Sequence, residues 1–287
     1  MELISVTMPK NFKVLDMSDF HVGSPNCSLE KLQGVIDWVK REGDIFVINK
    51  GDAIECITPG DKRYTHSCVM DNYKTPKKQA DKVIEMFYPI KDRILAWGAG
   101  NHELKLVNIM DFSEYMAREL DTPYGAYVFK IAFRDSDGNL MFKTFHTHGS
   151  GTVNSNAKDD IQMAANKAAS LKHKLSKTGF SDVIYMSMGH THQLIVVEPT
   201  VQHKLFLTDD GTKIKQHYGE QAAQNAKYIP PDSRWYTNTG SFRGLYSRPG
   251  EGVSDYGEAC GFAPAEMGCA LITVEDSCII QVEKMVA

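Results

Sequence analysis

Phe12-Lys13-Val14-Leu15-Asp16-Met17-Ser18-Asp19-Phe20-His21-Val22-Gly23 is the stretch that decides the fold: an apolar run of strand character that stops abruptly in Asp, His and Gly. The same pattern recurs outward along the chain. Ile45–Ile48 runs into Gly51-Asp52, Arg93–Trp97 into Gly98-Ala99-Gly100-Asn101-His102-Glu103, and Val183–Met188 into Gly189-His190-Thr191-His192. Between these runs, Ser28 to Arg41 carries Leu29, Leu32, Val35, Ile36 and Val39 at helical spacing, with Ser28 at the N-cap position. Lys78 to Tyr88, Asp111 to Leu120 and the Ala- and Lys-rich Asp160 to Leu175 also read as helices.

The middle changes character. Tyr127–Phe133 and Leu140–Phe145 flank Asp135-Ser136-Asp137-Gly138-Asn139, a hairpin signal, and the second strand ends in His146-Thr147-His148-Gly149. Leu194–Val197, a hairpin around Thr208-Asp209-Asp210-Gly211, and strands near Ala270–Val274 and Ile279–Val282 follow. Strand–helix alternation first and hairpins later predict two packed sheets flanked by helices. Segments 53–91 and 198–234 are long for plain connections and read as insertions on one domain spanning 1–287.

Composition narrows the function classes. The chain of 287 residues has 42% hydrophobic residues and a formal net charge of −4, so no global field favours nucleic acid or an anionic membrane. No run approaches the roughly 18 apolar residues of a membrane span, and Met1 to Lys10 lacks the pattern of a signal peptide. The six cysteines form no CxxC pair, and thiols in a reducing cytoplasm are the expectation. The Asn26-Cys27-Ser28 sequon has no secretory setting to give it meaning.

Read singly, a strand-end Asp is a turn or helix cap. Together the strand ends present Asp19, His21, Asp52, Asn101, His102, His146, His148, His190 and His192. Loops at the carboxyl ends of strands converge on one crevice. In an extended segment, residues i and i+2 point the same way, so Asp19/His21 and His190/His192 would each reach one metal pair. Imidazoles, carboxylates and a carboxamide without thiolate suit Mn, Fe, Zn, Co or Ni. Some seven such ligands exceed one coordination sphere, so two divalent ions sharing a carboxylate are expected, with Mn first.

In this order, Asp19-Phe20-His21-Val22-Gly23, Gly51-Asp52, Gly100-Asn101-His102-Glu103, His148-Gly149 and Gly189-His190-Thr191-His192 resemble the calcineurin-like metallophosphoesterase family. The matching segments run from 19 to 192, and Asn238-Thr239-Gly240-Ser241 is a further common feature. The resemblance implies a four-layer αββα sandwich of two mixed sheets. It implies that Asp19, His21 and His192 hold one metal, that Asn101, His148 and His190 hold the other, and that Asp52 bridges them. His102 would face the phosphoryl group and leaving oxygen, Glu103 would orient His102, and metal-bound hydroxide would attack. The family's ligand directly precedes the glycine, which selects His148 and leaves His146 as a strand-end residue behind it.

The expected activity is hydrolysis of a phosphate ester by a phosphodiesterase or phosphatase on a small or nucleotide-like substrate. A nuclease acting on DNA or RNA and a catalytically silent metal-binding scaffold are the alternatives. His66, His173, His203 and His217 match no motif and read as solvent-exposed. Lys74–Lys78 and Lys172–Lys177 read as solvated helix faces ahead of polyanion contacts, and Tyr64, Trp235, Tyr236 and Phe242 as packing or as walls of a substrate pocket.

Overall fold

Two six-stranded mixed sheets carry the architecture. The first runs, in spatial order, β1 (Glu2–Thr7), β6 (Val128–Arg134), β7 (Leu140–Thr147), β8 (Tyr185–Met188), β12 (Trp235–Thr239) and β9 (Leu194–Val197). The second runs β14 (Cys278–Val286), β13 (Gly268–Glu275), β2 (Phe12–Met17), β3 (Ile45–Asn49), β4 (Ile94–Gly98) and β5 (Tyr124–Ala126). A separate ribbon pairs β10 (Leu205–Asp209) with β11 (Ile214–Tyr218), the hairpin expected around Asp209-Asp210-Gly211. In this computed structural model residues 1–64, 68–200, 205–218, 222–244, 261 and 264–287 are described.

The period-2 alternation of the strands builds the layers. Along β2, Phe12 and Val14 enter the core between the sheets, meeting Phe129, Ile131 and Phe133 of the first sheet. Phe12 stacks on Phe133 with ring centroids 5.8 Å apart. Leu15 and Met17 point to the opposite face, where they join helix residues. That face is covered by α1 (Leu29–Arg41), α2 (Pro76–Phe87) and α4 (Phe112–Glu119), while the short α3 (Asn101–Leu104) follows β4. Leu32, Val35, Ile36 and Val39 are the buried stripe of α1, each contributing about 1.5–3 kcal/mol by leaving water. Helix α5 (Asp160–Ser176) covers the other sheet through Leu171 and Leu175 against Phe145, Val183, Met186 and Tyr236. The result is the four-layer αββα sandwich expected from the sequence.

Local chemistry explains the element ends. Ser28 occupies the N-cap position of α1, but its side chain makes no capping bond. Thr75, Asp111 and Asp159 do cap, accepting from the amides of Lys78, Glu114 and Gln162. The Thr75-Pro76 pair starts α2 earlier than the expected Lys78, because proline is preorganised for the first helical position. β1, β5 and β12 were not anticipated; β12 is wholly buried between β8 and β9 despite its polar Thr and Asn residues.

Strands β2, β3 and β4 are mutually parallel, and so are β7 and β8. The strand ends are tied together: within the second sheet the Asp19 amide donates to Gly51 O at 3.0 Å, and across the sheets His148 Nδ1 lies 3.1 Å from Lys50 O. Trp235, Tyr236 and Phe242 are core residues. His173 is exposed and His217 partly so, while His66 and His203 lie outside the described residues. Cys27, Cys56, Cys269 and Cys278 form no disulfide, and Cys260 lies outside the described residues. Among the described residues, no helix is long and apolar enough to cross a membrane.

Candidate metal centre

All the candidate ligands meet at the common end of β2, β3, β4, β7 and β8. Asp19, His21 and His192 place donor atoms within 4.8 Å of one another, and so do Asp52, His148 and His190. A third group of the same kind joins His21, Asp52 and His102. Asp52 therefore stands between the two triads: its Oδ2 is 3.2 Å from His148 Nε2 and 3.9 Å from His21 Nε2. Asn101 Oδ1 completes the second group, 3.0 Å from His148 Nε2 and 2.6 Å from His190 Nδ1.

The backbone that presents these residues is not the extended one expected. Asp19, His21, Asp52, His190 and His192 all have left-handed φ, between 49° and 69°. Tight left-handed turns, rather than strand alternation, aim the paired residues, and each such residue costs about 1–3 kcal/mol. His190 and His192 accordingly serve different triads. Glycine makes the packing possible: a Cβ on Gly100 would strike the Asp52 carboxylate, and one on Gly189 would strike Ser18 and Asp19.

Hydrogen-bond logic shows what the cluster lacks. Glu55 Oε2 is 2.8 Å from His21 Nδ1, and the Lys50 carbonyl is 3.1 Å from His148 Nδ1. Both partners only accept, so both Nδ1 atoms carry hydrogen and the Nε2 atoms point inward. His148 Nε2 then faces two further acceptors, Asn101 Oδ1 and Asp52 Oδ2. Asp19 Oδ1 is buried and meets no well-aligned donor; only His192 Nε2 at 3.3 Å and His21 Nε2 at 3.9 Å face it. Converging lone pairs at this depth require a cation.

In the metal-free chain, protons supply it. Burial opposes charge on His21, yet the carboxylates of Glu55, Asp19 and Asp52 outweigh it and hold its pKa at about 10. His148, likewise buried, is raised to about 9 by Asp52 first, then Asp19 and Glu103. Asp19 and Asp52 are held well below the usual carboxylate range, burial being overcome by the surrounding histidines. These are the positions at which a divalent ion, if bound, would compete with protons.

His146 is elsewhere. Its Nδ1 meets Ser187 Oγ at 3.0 Å and its Nε2 meets Thr144 Oγ1 at 2.8 Å, inside the sandwich. His102 is buried beside the centre, its Nδ1 2.6 Å from Glu55 O and its Nε2 4.0 Å from Asp52 Oδ2. Glu103 does not act as expected. Its carboxylate accepts from the amides of Gly100, Asp52, Ala53 and Ile54, at 3.1, 3.0, 2.7 and 3.2 Å, so it orients the Asp52 loop rather than the His102 ring. Burial, reinforced by Asp52, pushes Glu103 up to about 7.

Glu55 escaped the sequence reading. A carboxylate inside the apolar run Ala53-Ile54-Glu55-Cys56-Ile57 was the available signal, since a buried charge needs a partner. The Val22–Ile54 bridge folds this run back onto the His21 turn. Arg63, in the same insertion, was also passed over; its Nη1 lies 3.2 Å from His102 Nε2.

No protein-family profile matches the chain, and no curated protein matches it. Among solved structures it is similar to a metallophosphoesterase from Sphaerobacter thermophilus, 13% identical with a TM-score of 0.39, over 96% of this chain and 88% of that one. It is also similar to the NAD nucleotidase NadN of Haemophilus influenzae, 11% identical with a TM-score of 0.39, over 96% of this chain and 49% of that one. The chain thus spans about half the length of the nucleotidase. The functional reading rests on the geometry of the site.

Proposed function

We propose that the protein hydrolyses phosphate esters with two divalent transition-metal ions, Mn²⁺ first among Mn, Fe, Zn, Co and Ni. The observation that carries the reading is the pair of donor triads meeting at Asp52, with Asp19 Oδ1 faced only by histidine nitrogens and His148 Nε2 surrounded by acceptors. Asp19, His21 and His192 would hold one ion, Asn101, His148 and His190 the other, and Asp52 both. When bound, the ions would supply activation of water at neutral pH and neutralisation of phosphoryl charge.

The chain's own groups do the rest. Glu55 and the Lys50 carbonyl fix the His21 and His148 tautomers, so no imidazole has to turn when ions bind. Glu103 gathers the Asp52 loop amides and holds the shared carboxylate in place. His102 Nε2 is the atom placed to give a proton to the departing oxygen. Burial lowers that ring to about 4, so it rests neutral, and the proton has to reach Nε2 from the attacking water or with the substrate.

A hydrolysis panel tests the reading: p-nitrophenyl phosphate, its bis ester, cyclic nucleotides, and single- and double-stranded DNA, each with Mn²⁺ and with chelator. Metal-dependent turnover of at least one ester is expected. A Mn²⁺-loaded protein inert on the whole panel contradicts it and favours a metal-binding scaffold.

A further inference from the structure

Arg63 is deployed unlike the arginines that brace the fold. Arg234 gives its guanidinium to the backbone carbonyls of Ile229, Phe180 and Ser181, and Arg93 gives its own to Val39 and Glu42. Arg63 instead turns Nη1 onto the ring of His102 at 3.2 Å, at the rim of the metal centre. Because His102 Nδ1 donates to Glu55 O, Nε2 is a bare acceptor, and the guanidinium is the donor in this contact.

The fork is held from behind. Asp61 Oδ1 takes Nε at 3.1 Å and Oδ2 takes Nη2 at 3.0 Å, while Lys105 reaches the same carboxylate at 3.4 Å. Hydrogen bonding to Arg63 keeps Asp61 well below the usual carboxylate range. Among the described residues, three of the five guanidinium N–H groups are thus engaged, leaving one donor on each terminal nitrogen. The Arg63 side chain is 33% exposed at the edge of the site.

We propose that Arg63 is a substrate-binding residue that grips the non-bridging oxygens of the phosphoryl group and tunes the centre to a phosphomonoester over a diester. The inference rests on the hydrolase reading above. Two coplanar N–H donors match two phosphate oxygens, a geometry that lysine does not offer. A monoester brings three terminal oxygens and up to two charges. A diester keeps two terminal oxygens but carries a single charge, so the cationic fork gains more from the monoester.

The test uses the full-length, Mn²⁺-loaded protein with Arg63→Ala and Arg63→Lys. Binding of inorganic phosphate is measured by calorimetry, and kcat and KM are measured for p-nitrophenyl phosphate and its bis ester. Arg63→Ala should weaken phosphate roughly 10–100-fold, the worth of hydrogen bonds to a charged group. It should raise KM for the monoester by a similar factor, change the bis ester much less, and leave Mn²⁺ stoichiometry intact. Arg63→Lys should recover part of the phosphate affinity. Unchanged phosphate binding, or equal losses on both esters, overturns the proposal. If the wild type is inert on the whole hydrolysis panel, the hydrolase reading fails, and the phosphate titration still decides the role of Arg63.

Discussion

Two buried polar clusters lie close together in this protein, and they are balanced differently. Inside the sandwich, Lys50 Nζ meets Asp16 Oδ1 at 2.6 Å, and Tyr185 OH meets Asp16 Oδ2 and Thr237 Oγ1, each at 2.6 Å. His146 is satisfied by Ser187 and Thr144. One fixed cation answers one anion, and the cluster is closed by the protein's own groups. At the strand ends, acceptors converge without a fixed cation among them, and protons fill the role in the metal-free chain. The first cluster holds the sheets together; the second is built to take something from solution. His146 and His148, two residues apart on one strand end, fall on opposite sides of that division.

The comparison can be sharpened by substitution. The largest effect is expected on chemistry alone. His102→Ala should keep both metals and its Tm while kcat falls ~10²–10⁴-fold, with the loss shrinking for p-nitrophenolate leaving groups. Wild-type turnover of a poor-leaving-group ester by that variant removes His102 from the mechanism. In the interior cluster, Lys50→Met should cost ~3–5 kcal/mol in denaturant unfolding, with or without metal, because it strands the buried Asp16 carboxylate. A Lys50→Met protein of unchanged stability would break the claim that this cluster is closed by its own pair.

Smaller effects separate the neighbouring histidines. His148→Ala should lower affinity for one Mn²⁺ by more than the ~10–100-fold typical of an outer-shell partner, whereas His146→Ala should keep both ions. The reverse ranking in a metal titration exchanges their roles. The smallest effect concerns pH. His21 and His148 have pKa values raised to about 10 and about 9, so their stabilisation is complete below the ordinary histidine value and is lost as pH rises through the folded values. The Tm of the metal-free protein should fall between pH 7 and 10, and saturating Mn²⁺ should flatten the slope. A slope unaffected by Mn²⁺ means these histidines do not face the ions.

How much of this was legible in sequence follows from what short range can encode. Apolar runs ending in Asp, Asn or His show strand ends, and parallel order places those ends together, so two packed sheets and the candidate ligands were legible; the four-layer order and the ligand roles rested on the family resemblance. The two histidines before Gly149 could be ranked only through the family resemblance. The left-handed turns at Asp19, His21, Asp52, His190 and His192 were invisible, because strong tertiary constraint overrides the local preference of non-glycine residues. Glu55, Arg63 and the capping use of Glu103 depend on how segment 53–64 folds back over the site, and no periodicity records that path.

The central claim is that Asp52 joins two cation sites that the protein leaves without a cation of its own. Calorimetric titration of the metal-free protein with Mn²⁺, run on wild type, Asp52→Asn and His192→Ala in buffers of different ionisation enthalpy, tests it most directly. The account predicts two ions per wild-type chain with proton release at pH 7, both weakened by Asp52→Asn and chiefly one by His192→Ala. No Mn²⁺ binding, or loss of the same single ion in both variants, would contradict it.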